Sequence, residues 1–267
     1  MSWQLIVEPE PLPGSWNMAV DEHLFRLAEG SSRTFLRFYR WERPTASLGY
    51  SQEASRVVDV DFCRAHGIDI VRRMTGGKLV LHDREVTYSL ASADASIFTE
   101  TLRDSYRLIS RALLAGLERL GLSARLAETS PPAYVRGTMP CFAFPARDEI
   151  EIGGRKIVGS AQKRTGPLFL QHGSIPLEKD EPLLAAVSRP GESAESLGMT
   201  SLSEALGRSV DFDAAVGPLV QGFADSFGTG LERFALGPAD LEAVRLLQAS
   251  KYASDEWTFR RRPAAAR

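Results

Sequence analysis

The sequence predicts an α+β fold, in which helices pack against a mixed, largely antiparallel sheet. Short strand-like segments follow one another through tight turns, as in antiparallel meanders, and longer amphipathic segments separate these strand groups. A chain of 267 residues with 43% hydrophobic residues is long enough to bury a full core. We expect one domain over residues 1–259, followed by a frayed polar tail over residues 260–267.

The chain begins with a predicted strand at residues 4–7 and a predicted helix. Ser15 is a favourable N-cap for this helix, which continues to Ala28 and stops at Gly30. Its apolar side chains share one face: Trp16, Val20, Leu24 and Leu27. Its polar side chains are expected elsewhere on the helix surface: Asn17, Asp21 and Glu22.

Alternating segments rich in β-branched and aromatic residues predict five more strands. They are residues 34–41, 46–50, 68–72, 78–82 and 86–90. Residues 60–66 predict a short helix. Thr99 is the expected cap of the longest helix, which extends to about Leu120. Its predicted buried stripe is Leu102, Tyr106, Ile109, Leu113, Leu117 and Leu120.

The segment after residue 148 predicts a three-stranded meander. Two glycines, Gly153 and Gly154, separate the short runs 149–152 and 155–158, which indicates a two-residue hairpin turn. In that register Glu151 faces Lys156 across the hairpin. The second strand runs on into residues 159–161, and residues 168–175 form the third strand.

The remaining strands and helices are predicted from less regular patterns of apolar residues. Strands are expected at residues 123–127 and 231–235, and helices at 181–188, 213–227 and 238–249. Ser201 and Glu204 have the spacing of a capping box. Pro218 must lie near the start of its helix or kink it.

Composition argues against several classes of protein. A formal charge of −2 gives no indication of nucleic-acid binding, and no apolar run approaches the roughly 18 residues of a membrane helix. The two cysteines exclude a disulfide framework and fit a reducing compartment. The N-terminus lacks the basic and apolar regions of a signal peptide. We therefore expect a cytoplasmic protein without nucleic-acid or membrane partners.

Two side chains near the meander suggest nucleophilic chemistry. Cys141 precedes the hairpin and Lys156 lies on it. A neighbouring ammonium lowers the pKa of a thiol, and the thiolate can then accept an acyl group as a thioester. A lysine can also hold a developing oxyanion. The alternatives are a small buried apolar cysteine and a lysine that only pairs with Glu151 across the hairpin.

A second group of candidates lies around a glycine turn. Arg73, Thr75, Gly76 and Gly77 combine a cation with exposed backbone N–H groups, which can grip an anion or a carbonyl oxygen. His82 follows on the next predicted strand. The alternatives are an ordinary turn and a strand histidine with satisfied hydrogen bonds.

Several motifs together resemble the biotin/lipoate protein ligase superfamily. They are Asn17-Met-Ala-Val-Asp21, Arg37-Phe-Tyr-x-Trp41, Arg72-Arg73-x-Thr-Gly-Gly77 with His82-Asp83 and Thr87-Tyr-Ser89, Gly154-Arg-Lys-Ile-Val-Gly-Ser-Ala-Gln162, Gln171-His-Gly-Ser174 and Lys251-Tyr-x-x-x-x-Trp257. Within it, Cys141-Phe-x-x-Pro145 ahead of the hairpin is similar to LipM-type octanoyltransferases. The usual family pattern is not followed at Met74, Lys78-Leu79 and Arg43. These departures put the preferred acyl chain length in question more than the reaction class.

The resemblance implies a ping-pong acyl transfer that needs no cofactor and no metal ion. An octanoyl group would pass from an acyl carrier protein to Cys141, and then to a lysine of a lipoyl-domain protein such as the glycine-cleavage H protein. Lys156 would lower the thiol pKa and hold the acyl carbonyl. The acyl pocket would be shaped by Arg73, Thr75, Gly76, Gly77, His82, Gly159, Ser160, Ala161, His172 and Gly173.

Other functions remain open on the sequence. An ATP-dependent lipoate–protein ligase shares the fold but needs no cysteine near the lysine. A lipoyl-domain amidotransferase shares the cysteine, but His82-Asp83 weighs against it. A non-catalytic homologue would only bind an acylated carrier or a lipoyl domain.

Basic residues cluster in the sequence around the proposed site, and they predict a rim that steers an acidic acyl carrier protein. They are Arg125, Arg136, Arg147, Arg155, Lys163 and Arg164. The alternative is a set of solvated hairpin charges.

Overall fold

Strands and helices are described here from a computed structural model, which covers residues 2–31, 33–98, 101–128, 148–189 and 198–261. The strands are β1 (Ser2–Val7), β2 (Phe35–Tyr39), β3 (Thr45–Leu48), β4 (Asp69–Arg72), β5 (Val80–His82), β6 (Glu85–Ser92), β7 (Arg125–Leu126), β8 (Ile150–Ile152), β9 (Arg155–Lys156), β10 (Gly159–Thr165), β11 (Leu168–Pro176) and β12 (Gly230–Arg233). The helices are α1 (Gly14–Ala28), α2 (Ala54–Val57), α3 (Val60–Ala65), α4 (Leu102–Arg119), α5 (Glu181–Val187), α6 (Leu202–Leu206), α7 (Phe212–Phe227), α8 (Pro238–Leu247), a π-helix (Gln248–Tyr252) and α9 (Asp255–Arg260).

Six strands form the central sheet in the order β10-β11-β6-β2-β1-β12. The four strands from β10 to β2 pair antiparallel, whereas β1 lies parallel to both β2 and β12. Two smaller sheets flank it, one with the order β4-β3-β5 and the other β7-β8-β9. The predicted mixed, largely antiparallel α+β architecture is therefore confirmed.

Helices cover both faces of the central sheet because its strands bury side chains on both sides. Leu36 and Phe38 are fully buried and lie two residues apart on β2, so they share one face, and the core that contains them includes Leu113 of α4 and Phe223 of α7. Phe35 belongs to a second core, which is built with α1 and α8. Within the residues that the structure covers, no helix is long and apolar enough to cross a membrane.

The predicted three-stranded meander is wrong, although the hairpin inside it is correct. Gly153 and Gly154 both have positive φ, and Glu151 pairs in register with Lys156. The second strand breaks after Lys156, however, and the chain passes into a different sheet at Gly159. The sequence pattern could not reveal this break, because both halves are equally strand-like.

Two predictions about helix ends are also wrong. Pro13 occupies the N-cap position of α1, where its φ of −57° suits a helix start, and Ser15 lies inside the helix. Thr101 caps α4 by accepting a hydrogen bond from the Asp104 backbone N–H at 3.1 Å, whereas Thr99 lies outside the described residues.

Leu102, expected in the buried stripe, is 51% exposed because it starts the helix before α4 meets the sheet. The short helix α9 was not predicted, and it includes Arg260, the first residue of the expected tail.

Candidate active site

A pocket opens where the central sheet meets the two smaller sheets. Its apolar wall consists of Met18 from α1, Tyr39 from β2, Trp41 and Val80. Residues 159–161 of β10 form a floor of small side chains. The glycine turn and the β8–β9 hairpin complete the rim. The pocket is therefore largely apolar, with a few polar groups that converge on it, which is the usual composition of a small-molecule site.

The structure brings most of the predicted site residues together around this pocket. Those that line it are Arg73, Gly77, His82, Lys156, Gly159, Ser160, Ala161, His172 and Gly173. Thr75 and Gly76 lie directly behind this lining, where they contact His172 and Arg73 respectively. Cys141 lies outside the described residues. The catalytic and binding roles of all these residues stay predictions.

Lys156 is buried at the pocket with an acidic partner that sequence reasoning did not identify. Its Nζ atom lies 2.7 Å from Oε1 of Glu149, and both side chains are almost fully buried. Glu151, the expected partner, instead accepts a hydrogen bond from Arg125 at 2.7 Å. In the sheet register Glu151 lies opposite Arg125 on one neighbouring strand and opposite Lys156 on the other, so its carboxylate can form a close ion pair with only one of them. A diagonal pair with Glu149 therefore compensates the Lys156 charge.

Arg73 holds the glycine turn in place from inside. Its guanidinium donates to the carbonyl oxygens of Ser47, Gly76 and Lys78 at 2.6, 3.1 and 2.9 Å. The arginine is 4% exposed, and it also lines the pocket. Arg73 therefore has a clear structural role, because it fixes the turn that forms one rim of the pocket.

Gly173 permits a close approach between two strands and a buried tyrosine. A Cβ atom at this position would lie 2.6 Å from both Ser160 Oγ and Tyr88 Cε1. These distances are shorter than carbon atoms tolerate, so any larger residue would push β11 away from β10. The glycine therefore keeps the small-residue floor next to β11.

His82 is fixed by contacts on all sides. Its ring stacks on Trp41 with centroids 4.0 Å apart, and Nε2 lies 2.6 Å from Ser47 Oγ. Nδ1 lies 2.8 Å from Oε1 of Glu85, a buried carboxylate that also accepts from Ser174 at 2.5 Å. His82 therefore presents a rigid ring edge to the pocket.

His172 belongs to a buried charged network beneath the pocket. Asp21 accepts hydrogen bonds from His172 Nδ1 at 3.0 Å, Arg37 at 3.1 Å, Tyr39 at 3.0 Å and Ser89 at 2.8 Å. Burial alone would raise the pKa of Asp21, but the hydrogen bond from His172 and the charge of Arg37 outweigh it, so the pKa lies below its ordinary value. Asp21 is therefore ionised.

The tautomer of His172 follows from this network. Burial lowers the pKa of His172 below its ordinary value, although Asp21 opposes the shift. A neutral ring must donate from Nδ1 to the Asp21 carboxylate, which leaves Nε2 as an acceptor. The Thr75 hydroxyl, 2.7 Å from Nε2, then donates to it. One chain of hydrogen bonds therefore links Asp21 through His172 to the glycine turn.

The lipoyl protein ligase A/B catalytic domain family matches residues 13–224. The octanoyltransferase LipM of Geobacillus kaustophilus is 36% identical over 264 residues, which cover 93% of this chain and 95% of that protein. The octanoyltransferase LipM of Kyrpidia tusciae is 38% identical over 261 residues, covering 92% and 95%.

The chain belongs to the lipoyl protein ligase A/B catalytic domain family, within its LipM octanoyltransferases. The predicted resemblance and the predicted class of enzyme, an acyltransferase, are thereby confirmed. Solved structures agree on the fold. Lipoate-protein ligase A bound with ATP has a TM-score of 0.83 at 24% identity, covering 97% of this chain and 99% of that chain. The putative lipoate protein ligase from T. acidophilum with bound lipoic acid has a TM-score of 0.81 at 24% identity, covering 97% and 100%.

Three carboxylates of this acyltransferase were missed by sequence reasoning as parts of the site. Asp21 was assigned to a helix surface, but it is 1% exposed. Glu85 lies outside every predicted strand, and Glu149 only begins the first strand of the predicted hairpin. One signal was available for Asp21, because it ends the segment Asn17-Met-Ala-Val-Asp21 that resembles the N-terminal part of the family.

The second cysteine of the chain is unsuited to nucleophilic chemistry. Cys63 in α3 is fully buried in an apolar cluster with Leu48 and Val58. Burial, with a smaller contribution from Asp59, raises the pKa of its thiol to about 11. A thiol in such surroundings is not ionised near neutral pH and is inaccessible to a substrate.

Proposed function

We propose that this acyltransferase moves an octanoyl group from an acyl carrier protein to a lipoyl domain through a thioester on Cys141. In the first half-reaction the Cys141 thiol loses its proton, its thiolate attacks the octanoyl thioester of the carrier, and the phosphopantetheine sulfur leaves as a thiolate that takes up a proton. In the second, the ε-amine of a lysine attacks the enzyme thioester. An amide forms, the amine loses a proton, and the Cys141 thiol is regenerated.

One observation carries this proposal: a buried ammonium, that of Lys156, lies at an otherwise largely apolar pocket. An octanoyl chain needs an apolar wall, and a thiolate or thioester carbonyl needs a nearby cation. Cys141 precedes Glu149, the buried partner of Lys156, by eight residues in the sequence. Because Cys63 is buried and un-ionised, Cys141 is the cysteine left for this role.

The proposed acceptor is the lysine of a lipoyl-domain protein such as the glycine-cleavage H protein, and the proposed compartment is the cytoplasm. The names of the LipM relatives support the transferred group. A chain with only two cysteines, one of them buried and reduced, fits a reducing compartment.

The direct test is capture of the covalent intermediate. Octanoyl carrier protein alone, without acceptor and without ATP, should increase the mass of the enzyme by one octanoyl group. Neutral hydroxylamine should remove this adduct. Cys141→Ala should form none, whereas the matched variant Cys63→Ala should form it normally if it folds. A Cys141→Ala protein that acylates a lipoyl domain at the wild-type rate would disprove the thioester route.

The ATP-dependent ligase is the second candidate, because lipoate-protein ligase A has the same fold. Incubation with octanoate plus ATP separates the two functions. We expect acylation of a lipoyl domain from octanoyl carrier protein and none from octanoate plus ATP. The opposite result would assign the chain to the ligases.

A further inference from the structure

The basic residues expected to form a rim are mostly engaged in local contacts. Arg136 and Arg147 lie outside the described residues. Arg125 pairs with Glu151 at 2.7 Å and Arg155 with Glu204 at 2.5 Å. Arg164 donates to Ser105 Oγ at 2.7 Å. A different group of arginines, on α4, has the properties of a docking surface.

We call this group the arginine row; it consists of Arg103, Arg107 and Arg111. The three residues are spaced four apart in α4, so their side chains lie along one face of the helix. All three are exposed, and the side chains of Arg103 and Arg107 are 60% and 50% accessible. Leu102, one of the few large apolar side chains that are exposed in the described chain, begins the same helix.

The arginine row is unfavourable for the helix itself. Like charges four residues apart repel each other, and cations near a helix N-terminus oppose the helix dipole. Elsewhere the chain pairs helix arginines with acids three or four residues away: Arg26 with Glu22, Arg56 with Glu53, Arg245 with Glu242 and Arg260 with Glu256. In the arginine row, Asp148 lies beside Arg103 and Arg107, whereas Arg111 has no ion pair among the described residues.

The arginine row is connected to the pocket through Asp148. Arg103 and Arg107 both lie near Asp148, at 3.4 and 3.8 Å, and the next residue is Glu149, the partner of Lys156. Ser105, between the two arginines in sequence, accepts from Gln162 at 3.2 Å. Gln162 directly follows the pocket floor on β10. Ser105 lies on the buried face of α4, opposite the row, and no residue of α4 lines the pocket. The row therefore reaches the pocket lining only through Asp148, which directly precedes Glu149.

From this arrangement we propose that the arginine row docks the acidic carrier protein that delivers the octanoyl thioester. This inference rests on the proposed function, because it assigns a surface to the donor of that reaction. Positive charge on an enzyme surface raises the association rate of an acidic protein, while a small neutral donor gains nothing from it. Leu102 adds an apolar contact at the end of the row.

The test compares two donors with the same acyl group. One is octanoyl carrier protein and the other is octanoyl-pantetheine, a small thioester. Arg111→Glu is the preferred variant, because Arg111 has no ion pair among the described residues and does not contact Asp148. The matched control is Arg245→Glu on α8, an exposed arginine on the opposite face of the sheet.

We expect Arg111→Glu to reduce kcat/KM for octanoyl carrier protein by about tenfold and to leave kcat/KM for octanoyl-pantetheine unchanged. Arg245→Glu should alter neither value. For the wild-type enzyme, the ratio of kcat/KM for octanoyl carrier protein to kcat/KM for octanoyl-pantetheine should also fall as the salt concentration is raised. Two results would overturn the docking surface. One is that Arg111→Glu has the wild-type kcat/KM for both donors, and the other is that it lowers kcat/KM for both donors by the same factor.

Failure of this inference can be told apart from failure of the proposed function. If wild-type enzyme forms no octanoyl adduct from either donor, the proposed function itself is wrong. If adduct formation is normal in Arg111→Glu but transfer from the pre-acylated variant to a lipoyl domain is slow, the row docks the acceptor and the assignment to the donor is overturned.

Discussion

Asp21 connects three parts of the molecule at the level of single residues. Its carboxylate accepts hydrogen bonds from two strands of the central sheet and from His172, and His172 contacts the glycine turn through Thr75. A buried carboxylate is stable only when such partners compensate its desolvation. The network therefore fixes the turn relative to the sheet, and with it the width of the pocket.

The buried, neutral state of His172 predicts a pH dependence of stability. Its folded pKa lies below the ordinary value of 6.5, so the unfolded chain binds a proton at this residue at a higher pH than the folded chain. Between the folded pKa and about pH 6.5, the free energy of unfolding should rise with pH. Urea unfolding at several pH values measures this slope. His172→Gln, which keeps both a donor and an acceptor, should show a smaller slope; an identical slope would contradict the assignment.

The pair of Lys156 and Glu149 predicts opposite effects of two conservative substitutions. If Lys156 stabilises the thiolate of Cys141, Lys156→Gln should slow its alkylation by iodoacetamide at neutral pH. A loss of about 1.4 kcal/mol of thiolate stabilisation corresponds to a tenfold decrease. Glu149→Gln removes a competing negative charge and should accelerate alkylation. Peptide mapping distinguishes Cys141 from Cys63, and slower alkylation in both variants would show that the pair is only structural.

At the level of elements, α4 and α7 pack closely because glycines face each other. A Cβ atom at Gly222 of α7 would lie 2.4 Å from the Gly116 backbone nitrogen and 2.6 Å from the Ala112 carbonyl oxygen. Neither backbone group can move without shifting the other helix. The two helices bury the largest part of the core on that face of the sheet.

Gly222→Ala should therefore destabilise the protein, although alanine is the better helix former. Overpacking costs about 1–3 kcal/mol, whereas the gain in helix propensity is at most about 1 kcal/mol. The control is Gly217→Ala in the same helix, where an added Cβ meets no atom within 4 Å. Pro218 follows it and limits the gain in propensity, so we expect a change below about 0.5 kcal/mol. Chemical denaturation compares the two, and similar values for both variants would refute close packing as the cause.

Local patterns predicted elements better than they predicted connections between elements. The Gly153-Gly154 turn specified the hairpin register because its backbone conformation is decided by two adjacent residues. The separation of β9 from β10 depends on contacts with distant strands, which no local pattern contains. The N-cap of α4 is Thr101 rather than the predicted Thr99, because the Thr101 hydroxyl accepts the hydrogen bond from the Asp104 backbone N–H.

At the level of the whole molecule, the pocket is a product of the assembly of separate sheets. Tyr39, His172 and the floor come from the central sheet, whereas Val80 and Lys156 come from the two smaller ones. The sequence could identify many of these residues by their resemblance to family motifs. It could not show that Asp21 holds His172, because these two residues lie 151 positions apart and meet only in the complete fold. Glu85 and Glu149 lie three and seven positions from their partners His82 and Lys156, but the side-chain directions that join them depend on how the strands are placed.

The shape of this pocket predicts selection for acyl chain length. Each buried methylene contributes about 0.8 kcal/mol, so the four extra methylenes of an octanoyl donor over a butyryl donor are worth about 3 kcal/mol. This corresponds to about a two-hundredfold higher kcat/KM for thioester formation with pantetheine donors. The Ala161 Cβ would lie only 3.6 Å from a Cβ built at Gly77, so the floor and the turn are close here.

Ala161→Leu should narrow the pocket between the floor and the turn. We expect it to reduce kcat/KM for octanoyl-pantetheine more than for butyryl-pantetheine, because the longer chain must pass the added side chain. Ala161→Ser, which nearly preserves the size of the side chain, should leave the ratio of the two values close to that of the wild type. Equal use of butyryl and octanoyl donors by the wild type, or an unchanged ratio in Ala161→Leu, would show that the acyl chain binds elsewhere.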